Sequence, residues 1–195
     1  TFYSIAGLIR PSNGNIYINN QDITNMPMHE RSKLGIAYLP QESSIFQNLS
    51  VKDNILGLAQ LSSDDNKAIL SRFNKVVEEF NLSSILMQKG RELSGGQRRR
   101  VEIARCLVTM PKIILMDEPF AGIDPIAVDD IKKILNQLVS QGISILITDH
   151  NVSAALEICS RGLILSEGQV LAEGATEELI NNPKVREVYL GEMYS

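Results

Sequence analysis

The feature that most constrains the fold is the apolar run 113–116, which ends in the two carboxylates Asp117 and Glu118 and then Pro119. A short apolar run bounded in this way predicts a strand buried on both faces of a parallel sheet. Parallel sheets place ligand chemistry at the carboxyl ends of their strands, where the two carboxylates lie. Paired carboxylates there suit a metal ion and a polarised water molecule, while a solvated charge pair is the alternative for this string alone.

The segment before this strand, LSGGQRRRVEIAR at 93–105, predicts a helix that begins with an unusual turn. Ser94 is a common type of residue at a helix N-cap, and a cap is the plain structural interpretation. Gly95 and Gly96 each cost roughly 0.5 to 1 kcal/mol in a helix relative to alanine, so stability alone does not explain them. Free backbone N–H groups at a helix start hold phosphates, and the close approach of such a ligand would explain the glycines.

Strand and helix patterns alternate along the second half of the chain, which indicates parallel βαβ units in an α/β protein. We predict strands at 15–19, 35–39, 113–116 and 143–148, a hairpin of 162–166 with 170–172, and helices at 66–80, 126–141 and 152–160. We also expect residues 1–8 to be the end of a helix closed by Gly7 and Pro11, and two short helices to follow the hairpin. We expect one domain over 1–195, with a helical lobe inserted at about 50–100.

Charge and composition narrow the choice of partners. The chain has 19 basic and 23 acidic residues, a net charge of −4, and no block of like charge longer than Arg98, Arg99 and Arg100. Successive helical residues point in different directions, so we expect these arginines to be solvated or to face an interface, with no nucleic-acid partner. Cys106 and Cys159 match no metal-site spacing and are expected to be reduced core thiols. Without a signal peptide or an apolar run of about 18 residues, we expect a cytoplasmic chain.

The two segments together closely resemble the signature and carboxylate motifs of the ATP-binding-cassette (ABC) family of nucleotide triphosphatases. The resemblance extends over essentially the whole chain. It implies a three-layer core of the P-loop NTPase type with a mainly parallel sheet and a helical subdomain. It also implies ATP and Mg²⁺ as cofactors, and ATP hydrolysis that is coupled to membrane transport.

One motif of the family is missing, because no G-x-x-x-x-G-K-[ST] sequence occurs in the 195 residues. Aligning Gly7 with the glycine that ends the family's first helix places the phosphate-binding lysine about three residues before Thr1. We therefore expect an N-terminally truncated cassette, whose 195-residue form neither binds nor hydrolyses ATP.

The resemblance implies a role for each residue that matches a motif. Asp117 matches the aspartate that holds Mg²⁺ through its water shell, and Glu118 matches the general base for the attacking water. Gln41 matches the glutamine that touches Mg²⁺ and links the two lobes. His150 matches the switch histidine, which senses the γ-phosphate and orients the water. A polar loop residue and a solvated histidine are the alternatives for Gln41 and His150.

The resemblance also implies a homodimer with two nucleotides at its interface. The signature residues Ser94, Gly95, Gly96 and Gln97 would contact the γ-phosphate of ATP held by the other subunit. Asp124, with residues 121–123, matches the family's D-loop, which communicates across the dimer. Because proline follows it directly, Asp124 equally predicts a helix N-cap.

Longer strings narrow the resemblance, namely LPQESSIFQNLSVKDNI at 39–55, MDEPFAGIDPI at 116–126, ITDHNV at 147–152 and VYLGE at 188–192. They are similar to the ATPase of the lipopolysaccharide export transporter, apart from Gln97, where that group often has glutamate. The nearest alternative is the ATPase of branched-chain amino-acid importers. Soluble cassette ATPases of DNA repair or translation usually insert coiled coils or zinc modules, which the segment 42–93 lacks. A catalytically silent interaction fragment is the remaining alternative.

The loop after Gln41 carries apolar residues among polar neighbours, outside any clear periodic element. We predict that Ile45, Phe46 and Leu49 line a groove for a short helix from a transmembrane permease subunit. The contact would span 42–51, with Phe46 as its anchor. Packing of these residues inside the lobe is the alternative. The resemblance places the protein peripherally on the cytoplasmic face of the inner membrane.

Overall fold

The computed structural model describes residues 1–61 and 65–187, with the backbone alone at Ser153. Contacts between residues divide the chain into two compact units, Thr1–Ile147 and Thr148–Ser195. Each unit buries an apolar core of its own. The string at 188–192 that contributed to the resemblance with lipopolysaccharide export ATPases lies outside the described residues.

The first unit holds most of the helices and the central sheet. Its elements are the helices α1 (Phe2–Ala6), α2 (Met28–Lys33), α3 (Val51–Ala59), α4 (Asn66–Glu79), α5 (Gly95–Leu107) and α6 (Pro125–Ser140), and the strands β1 (Tyr17–Ile18), β2 (Gln21–Asp22), β3 (Ile36–Leu39), β4 (Ile113–Asp117) and β5 (Ser144–Thr148), of which β5 ends at the unit boundary. The predicted strands and helices of this unit are confirmed to within two residues at each end. Among the described residues, no helix has both the length and the apolar composition that crossing a bilayer requires.

The central sheet has the strand order β3-β4-β5, and β3 and β4 pair in parallel. Their register puts Leu39 opposite Met116, so both strands end at the same edge of the sheet. The prediction of a strand buried on both faces is confirmed, because Ile114, Leu115 and Met116 are each exposed by 1% or less. The α/β class with a parallel sheet is therefore the observed one.

Helices α3, α4 and α5 pack on one another and form the helical lobe. Ile69, Phe73, Val76 and Val77 make the buried face of α4, as their helical spacing predicts. Asp65 caps the start of this helix with its side chain. Hydrophobic packing along one face, rather than helix propensity alone, accounts for the stability of the lobe.

Polar bonds attach the lobe to the core helix α6. The side-chain amides of Gln137 and Gln141 both donate to Oε1 of Glu79, at 2.9 and 2.6 Å. Glu79 is the last residue of α4. The carboxyl-terminal end of α4 is thus held by the carboxyl-terminal half of α6.

A buried arginine closes the first helix. Gly7 ends α1 in the left-handed conformation at φ 83°, as predicted, and a Cβ placed there would lie 2.9 Å from Nε of Arg31. Arg31 is 1% exposed, and its Nη1 donates to the carbonyl oxygens of Ser4 and Ile5 at 2.7 and 2.6 Å. The guanidinium adds a buried donor to these two carbonyls, of which that of Ser4 also accepts from the N–H of Gly7 at 3.2 Å, and it complements the negative end of the helix dipole.

The second unit is a hairpin with short helices. Its elements are α7 (Val152–Leu156), β6 (Arg161–Ser166), β7 (Gln169–Ala175), α8 (Thr176–Ile180) and α9 (Pro183–Val185). The predicted hairpin is confirmed, with an antiparallel pairing that turns through Glu167 and Gly168, both at positive φ. Leu156, Leu179 and Val185 form the core.

The predicted helix at 152–160 is too long, since α7 ends at Leu156. The carbonyls of Cys159 and Ser160 accept hydrogen bonds from the side chain and the backbone of Thr176. These bonds turn the segment toward β6 instead of continuing the helix. The sequence pattern carries no sign of them, because Thr176 lies beyond the hairpin.

Candidate active site

The carboxyl edge of the sheet brings together residues that are far apart in sequence. Gln41 follows β3, and Glu118 follows β4, so the parallel pairing of the two strands places both at one edge. Nε2 of Gln41 donates to Oε2 of Glu118 at 2.6 Å. The amide therefore restrains the orientation of the Glu118 side chain.

Glu118 adopts an uncommon backbone conformation. Its φ is 43°, in the left-handed region that residues other than glycine seldom occupy. Its carbonyl oxygen accepts a hydrogen bond from the N–H of Ala121 at 3.1 Å. This tight turn directs the chain out of the sheet immediately after β4. Strained backbone of this kind clusters at functional sites, where the surrounding structure holds it.

Asp117 is the buried carboxylate of the pair, at 9% exposed. The hydroxyls of Tyr3 and Tyr38 donate hydrogen bonds to it. Burial, followed by the charge of Asp117, raises the pKa of Tyr38 to about 12. The hydrogen bond to Asp117 and the charge of that carboxylate raise the pKa of Tyr3.

Both tyrosines were absent from the residues predicted from sequence. Tyr38 is the second-last residue of a predicted strand, so the pairing of that strand with 113–116 would have suggested it. No local pattern points to Tyr3, because its approach to Asp117 depends on how α1 packs on the sheet. The ring of Tyr38 packs at a tilt against that of Phe2 in α1, with ring centroids 6.1 Å apart.

The Asp117 site fits a magnesium ion chemically. A carboxylate offers about four lone-pair positions, so the two tyrosine hydroxyls leave oxygen acceptors available. The side-chain oxygen of Gln41 is a second oxygen of the kind that Mg²⁺ prefers. No group of three His, Cys, Asp or Glu side chains suited to a metal occurs within the described residues. Mg²⁺ requires only one or two carboxylates when phosphates and water complete its shell.

The signature turn is a capped helix start. Oγ of Ser94 accepts a hydrogen bond from the N–H of Gln97 at 3.3 Å, and Oε1 of Gln97 accepts one from the N–H of Ser94 at 2.9 Å. This reciprocal pair is a capping box, which confirms the structural interpretation of Ser94. Helix geometry leaves the N–H groups of Gly95 and Gly96 without intrahelical acceptors. Those two groups remain the ones that suit a phosphate.

The two signature glycines differ in their surroundings. A Cβ at Gly96 would lie 2.8 Å from Cβ of Ala127 in α6, which is too close for any other residue without a shift. At Gly95 the nearest atom is the carbonyl oxygen of Gly122, at 4.0 Å. Helix packing therefore already requires glycine at 96. The explanation by ligand approach is needed only for Gly95.

A pocket of about 140 Å³ joins the signature turn to the start of α6. Ser94 and Gln97 lie on one side of it, and Asp124 and Ala127 on the other. Oδ1 of Asp124 accepts a hydrogen bond from the N–H of Ala127 at 3.0 Å, so the predicted N-cap is confirmed. The structure thus brings the signature and D-loop residues together on one face of the first unit.

One of the three signature arginines is buried. Arg99 is 5% exposed, and its Nη1 lies 3.2 Å from Oε2 of Glu102, itself 3% exposed. The expectation of a solvated or interface-facing set is therefore wrong for Arg99, because that helix face turns toward the loop after β3. Cys106 of the same helix is a free thiol, and burial raises its pKa to about 11.

His150 belongs to the second unit, in the turn between β5 and α7, where it is exposed. Its neighbours form a local network, in which Asp149 accepts a hydrogen bond from the N–H of Asn151 at 2.7 Å. Asn151 in turn caps α7 by accepting from the N–H of Ala154 at 3.1 Å. The role expected for His150 stays a prediction.

Comparisons with known proteins agree on one family. The family described as ABC transporter matches residues 1–121, and the one described as branched-chain amino acid ATP-binding cassette transporter matches residues 169–195. The lipopolysaccharide export system ATP-binding protein LptB of Haemophilus influenzae is 47% identical over 195 residues, which are 100% of this chain and 81% of that protein. LptB of Escherichia coli K12 is 47% identical over 193 residues, which cover 98% of this chain and 80% of the relative.

Solved structures support the same assignment. The ADP conformation of MJ1267, an ATP-binding cassette of an ABC transporter, matches with a TM-score of 0.86 and 31% identity, covering 98% of this chain and 82% of MJ1267. CbiO1 from Clostridium perfringens, part of the ABC transporter complex cbiONQ, matches with a TM-score of 0.84 and 27% identity, covering 98% and 78%. The chain therefore belongs to the ABC transporter family of ATP-binding cassette proteins.

Proposed function

We propose that the protein is the ATPase subunit of a membrane transporter and that this transporter exports lipopolysaccharide. The observation that carries the ATPase activity is the sheet edge where Gln41 contacts Glu118 beside the buried Asp117. The choice of lipopolysaccharide is supported by 47% identity over the whole chain with a relative that is named for that export system.

In this proposal Glu118 is the general base that accepts a proton from the attacking water. The amide of Gln41 orients the Glu118 carboxylate, and the hydroxyls of Tyr3 and Tyr38 fix Asp117. Asp117 and Gln41 would hold Mg²⁺, which when bound supplies charge neutralisation at the phosphate oxygens. His150, in the second unit, would act as the switch histidine that the family resemblance implies. Positioning and electrostatics thus account for the catalysis, as phosphoryl transfer requires.

A homodimer completes the proposed site. Ser94, Gly95, Gly96 and Gln97 would bind the γ-phosphate of ATP held by the partner subunit, chiefly through backbone N–H groups and the helix dipole. Asp124 lies beside them in the same pocket and would contact the partner across the dimer axis. In such a dimer, the signature pocket of one subunit and the carboxylates of the other would act on the same nucleotide. The two therefore need not be adjacent within one chain.

The loop 42–51 is the proposed contact with the transmembrane permease. Phe46 is 57% exposed and Leu49 is 44% exposed, so both remain candidates to line a groove. Ile45 is only 5% exposed, and the prediction that it lines the groove is wrong because it packs inside the unit.

Phe46 is held in its exposed position from two sides. Oδ1 and Nδ2 of Asn54 bond the N–H and the carbonyl oxygen of Phe46 at 2.8 and 3.0 Å. The guanidinium of Arg105 lies 5.0 Å from the centre of its ring. A preorganised aromatic residue is a suitable anchor for a partner helix. Such a contact would keep the protein on the cytoplasmic face of the inner membrane.

A second candidate substrate class is branched-chain amino acids. It is favoured by the match of residues 169–195 to the family named for that transport. The permease partner selects the transported molecule, so the two candidates differ in their partner and share the ATPase chemistry. Co-purification with the permease subunits of each system, followed by transport assays in vesicles, distinguishes them.

Glu118→Gln tests the ATPase. Since the 195 residues contain no P-loop motif, the assay uses a version with such a loop joined before Thr1, and the 195-residue chain is the control expected to bind no ATP by calorimetry. Glu118→Gln is expected to bind ATP and to lower turnover by about 10² or more. Glu79→Gln, which alters a half-buried carboxylate at the end of α4, is the matched control and should retain activity. Wild-type turnover in Glu118→Gln would refute the assigned base.

Phe46→Ala tests the permease contact. We expect loss of complex assembly and transport, while the ATPase stays folded with unchanged basal turnover. Met87, which is 79% exposed, supplies the control Met87→Ala. A Phe46→Ala protein that loses its fold together with its activity would favour internal packing instead.

A further inference from the structure

The loop that carries Gln41 is attached to the signature helix α5 by a buried carboxylate. Glu102 is 3% exposed, and its Oε1 accepts hydrogen bonds from Oγ of Ser43 at 2.7 Å and from the N–H of Ser44 at 3.0 Å. A bond to the peptide N–H fixes the path of the chain as well as a side chain. Glu102 therefore holds the backbone two to three residues after Gln41.

Two arginines of the same helix hold the loop on either side of Gln41. Nη1 of Arg99 donates to the carbonyl oxygen of Pro40 at 3.1 Å and pairs with Oε2 of Glu102. Nη1 of Arg105 donates to the carbonyl oxygen of Ser44. Backbone groups just before and just after Gln41 are thus fixed by one rigid helix. We call Arg99, Glu102 and Arg105 the Glu102 cluster.

The Glu102 cluster is poorly suited to stabilising the fold. In the described residues, Nε and Nη2 of Arg99 and Nε of Arg105 are buried and have no hydrogen-bond partner within the protein. Partly satisfied buried ionic networks are often replaced by apolar side chains without loss of stability. Its geometry, in contrast, fits a role in fixing one conformation of the loop.

We infer that Glu102 is a positioning residue for ATP hydrolysis, which acts by holding the amide of Gln41 against Glu118. The inference rests on the proposed function, since it assigns Glu118 the role of base. The Glu102 carboxylate touches neither Gln41 nor Glu118. It acts through the backbone of Ser43 and Ser44, and it links the helix that begins at the signature turn to the carboxylate edge of the sheet.

Glu102→Gln is a nearly isosteric test. The N–H of Ser44 and Nη1 of Arg99 are both donors, so a carboxamide can accept from only one of them and must oppose the other with its own N–H. Ser43→Ala is a milder second variant, since it removes one hydroxyl from an exposed residue. Glu79→Gln is the matched control, because that carboxylate also accepts two side-chain donors but lies away from the loop.

The kinetic measurement is a double-mutant cycle with Gln41→Ala in the version that carries a P-loop. Glu102→Gln is expected to lower kcat by about tenfold to a hundredfold with little change in KM, the scale of a displaced catalytic group. In the Gln41→Ala background the same substitution should lower kcat by less than about twofold, because the group that it positions is already gone. Ser43→Ala should show the same pattern at smaller size.

Hydrogen exchange at the Ser44 amide gives a readout that needs no ATP. We expect faster exchange in Glu102→Gln than in the unsubstituted protein or in Glu79→Gln. The inference would be overturned if Glu102→Gln lowered kcat equally in the wild-type and Gln41→Ala backgrounds, or did not lower it at all. In that case an inactive Glu118→Gln would still support the proposed base. Wild-type turnover in Glu118→Gln would instead overturn the proposed function, and the inference with it.

Discussion

The carboxylate edge of the sheet and the signature turn are held in place by different kinds of contact. At the edge, Gln41 reaches Glu118 across 77 positions of sequence, and Asp117 is held by hydroxyls from two other elements. At the turn, Ser94 and Gln97 bond each other within three residues. A site built from local caps can form with its helix, whereas the edge requires the sheet and α1 to be packed first.

The largest expected effect concerns the support of α1, which carries Tyr3 to the edge. Arg31→Met leaves the carbonyl oxygens of Ser4 and Ile5 without their buried donor, so the free energy of unfolding should fall by about 3 kcal/mol or more. Urea unfolding followed by circular dichroism measures it. Lys33→Met alters an exposed residue of α2, the helix that also carries Arg31. It is the control and should change the free energy of unfolding by less than about 0.5 kcal/mol. Similar losses in both would show that Arg31 is not the closure of α1.

A smaller effect tests whether each glycine of the signature turn is required by packing against α6 or by the approach of a ligand. Gly96→Ala brings a methyl group against Ala127, so overpacking should cost about 1–3 kcal/mol in unfolding free energy. Gly95→Ala meets no such neighbour and should change it by less than about 1 kcal/mol, while it weakens ATP binding if a ligand approaches there. Thermal or urea unfolding of the pair separates packing from ligand approach. Equal stability losses at the two glycines would contradict this division.

The smallest effect is a pH dependence at the edge. Burial and Asp117 raise the pKa of Tyr38 from 10.0 to about 12, so between those values the unfolded chain has released the proton while the folded protein retains it. The unfolding free energy should therefore fall as pH rises through this window, and the fall should be shallower in Tyr38→Phe. Tyr17→Phe, at a tyrosine that is 59% exposed, is the control. Parallel pH profiles for wild type and Tyr38→Phe would contradict the burial of this hydroxyl.

The same contrast explains what was predictable from sequence. The apolar run before Asp117, the cap at Ser94 and the Asp124–Pro125 helix start depend on neighbours within a few residues, and all three are confirmed. From the sequence, Gly96 was explained by the approach of a ligand, because the sequence does not show that this residue packs against Ala127 of α6.

Contacts between distant segments account for what was missed. Arg99 was expected to be solvated or to face an interface, yet its acceptor on Pro40 lies 59 positions away. Tyr3 and Tyr38 were not identified, since their hydroxyls meet Asp117 only after α1 and two strands have packed. Spacing rules describe one element at a time, so a side chain that serves a different element leaves no signal in them.

Helix α6 has a mechanical consequence for the first unit. Its 16 residues form a rod of about 24 Å. Asp124 caps one end of this helix beside the signature pocket. Near the other end, Gln137 and Gln141 donate hydrogen bonds to Glu79 of the helical lobe. A helix transmits displacement along its axis with little compression. A displacement of the Asp124 end therefore reaches the helical lobe through the two hydrogen bonds at Glu79 as well as through the packing of α5 on α6.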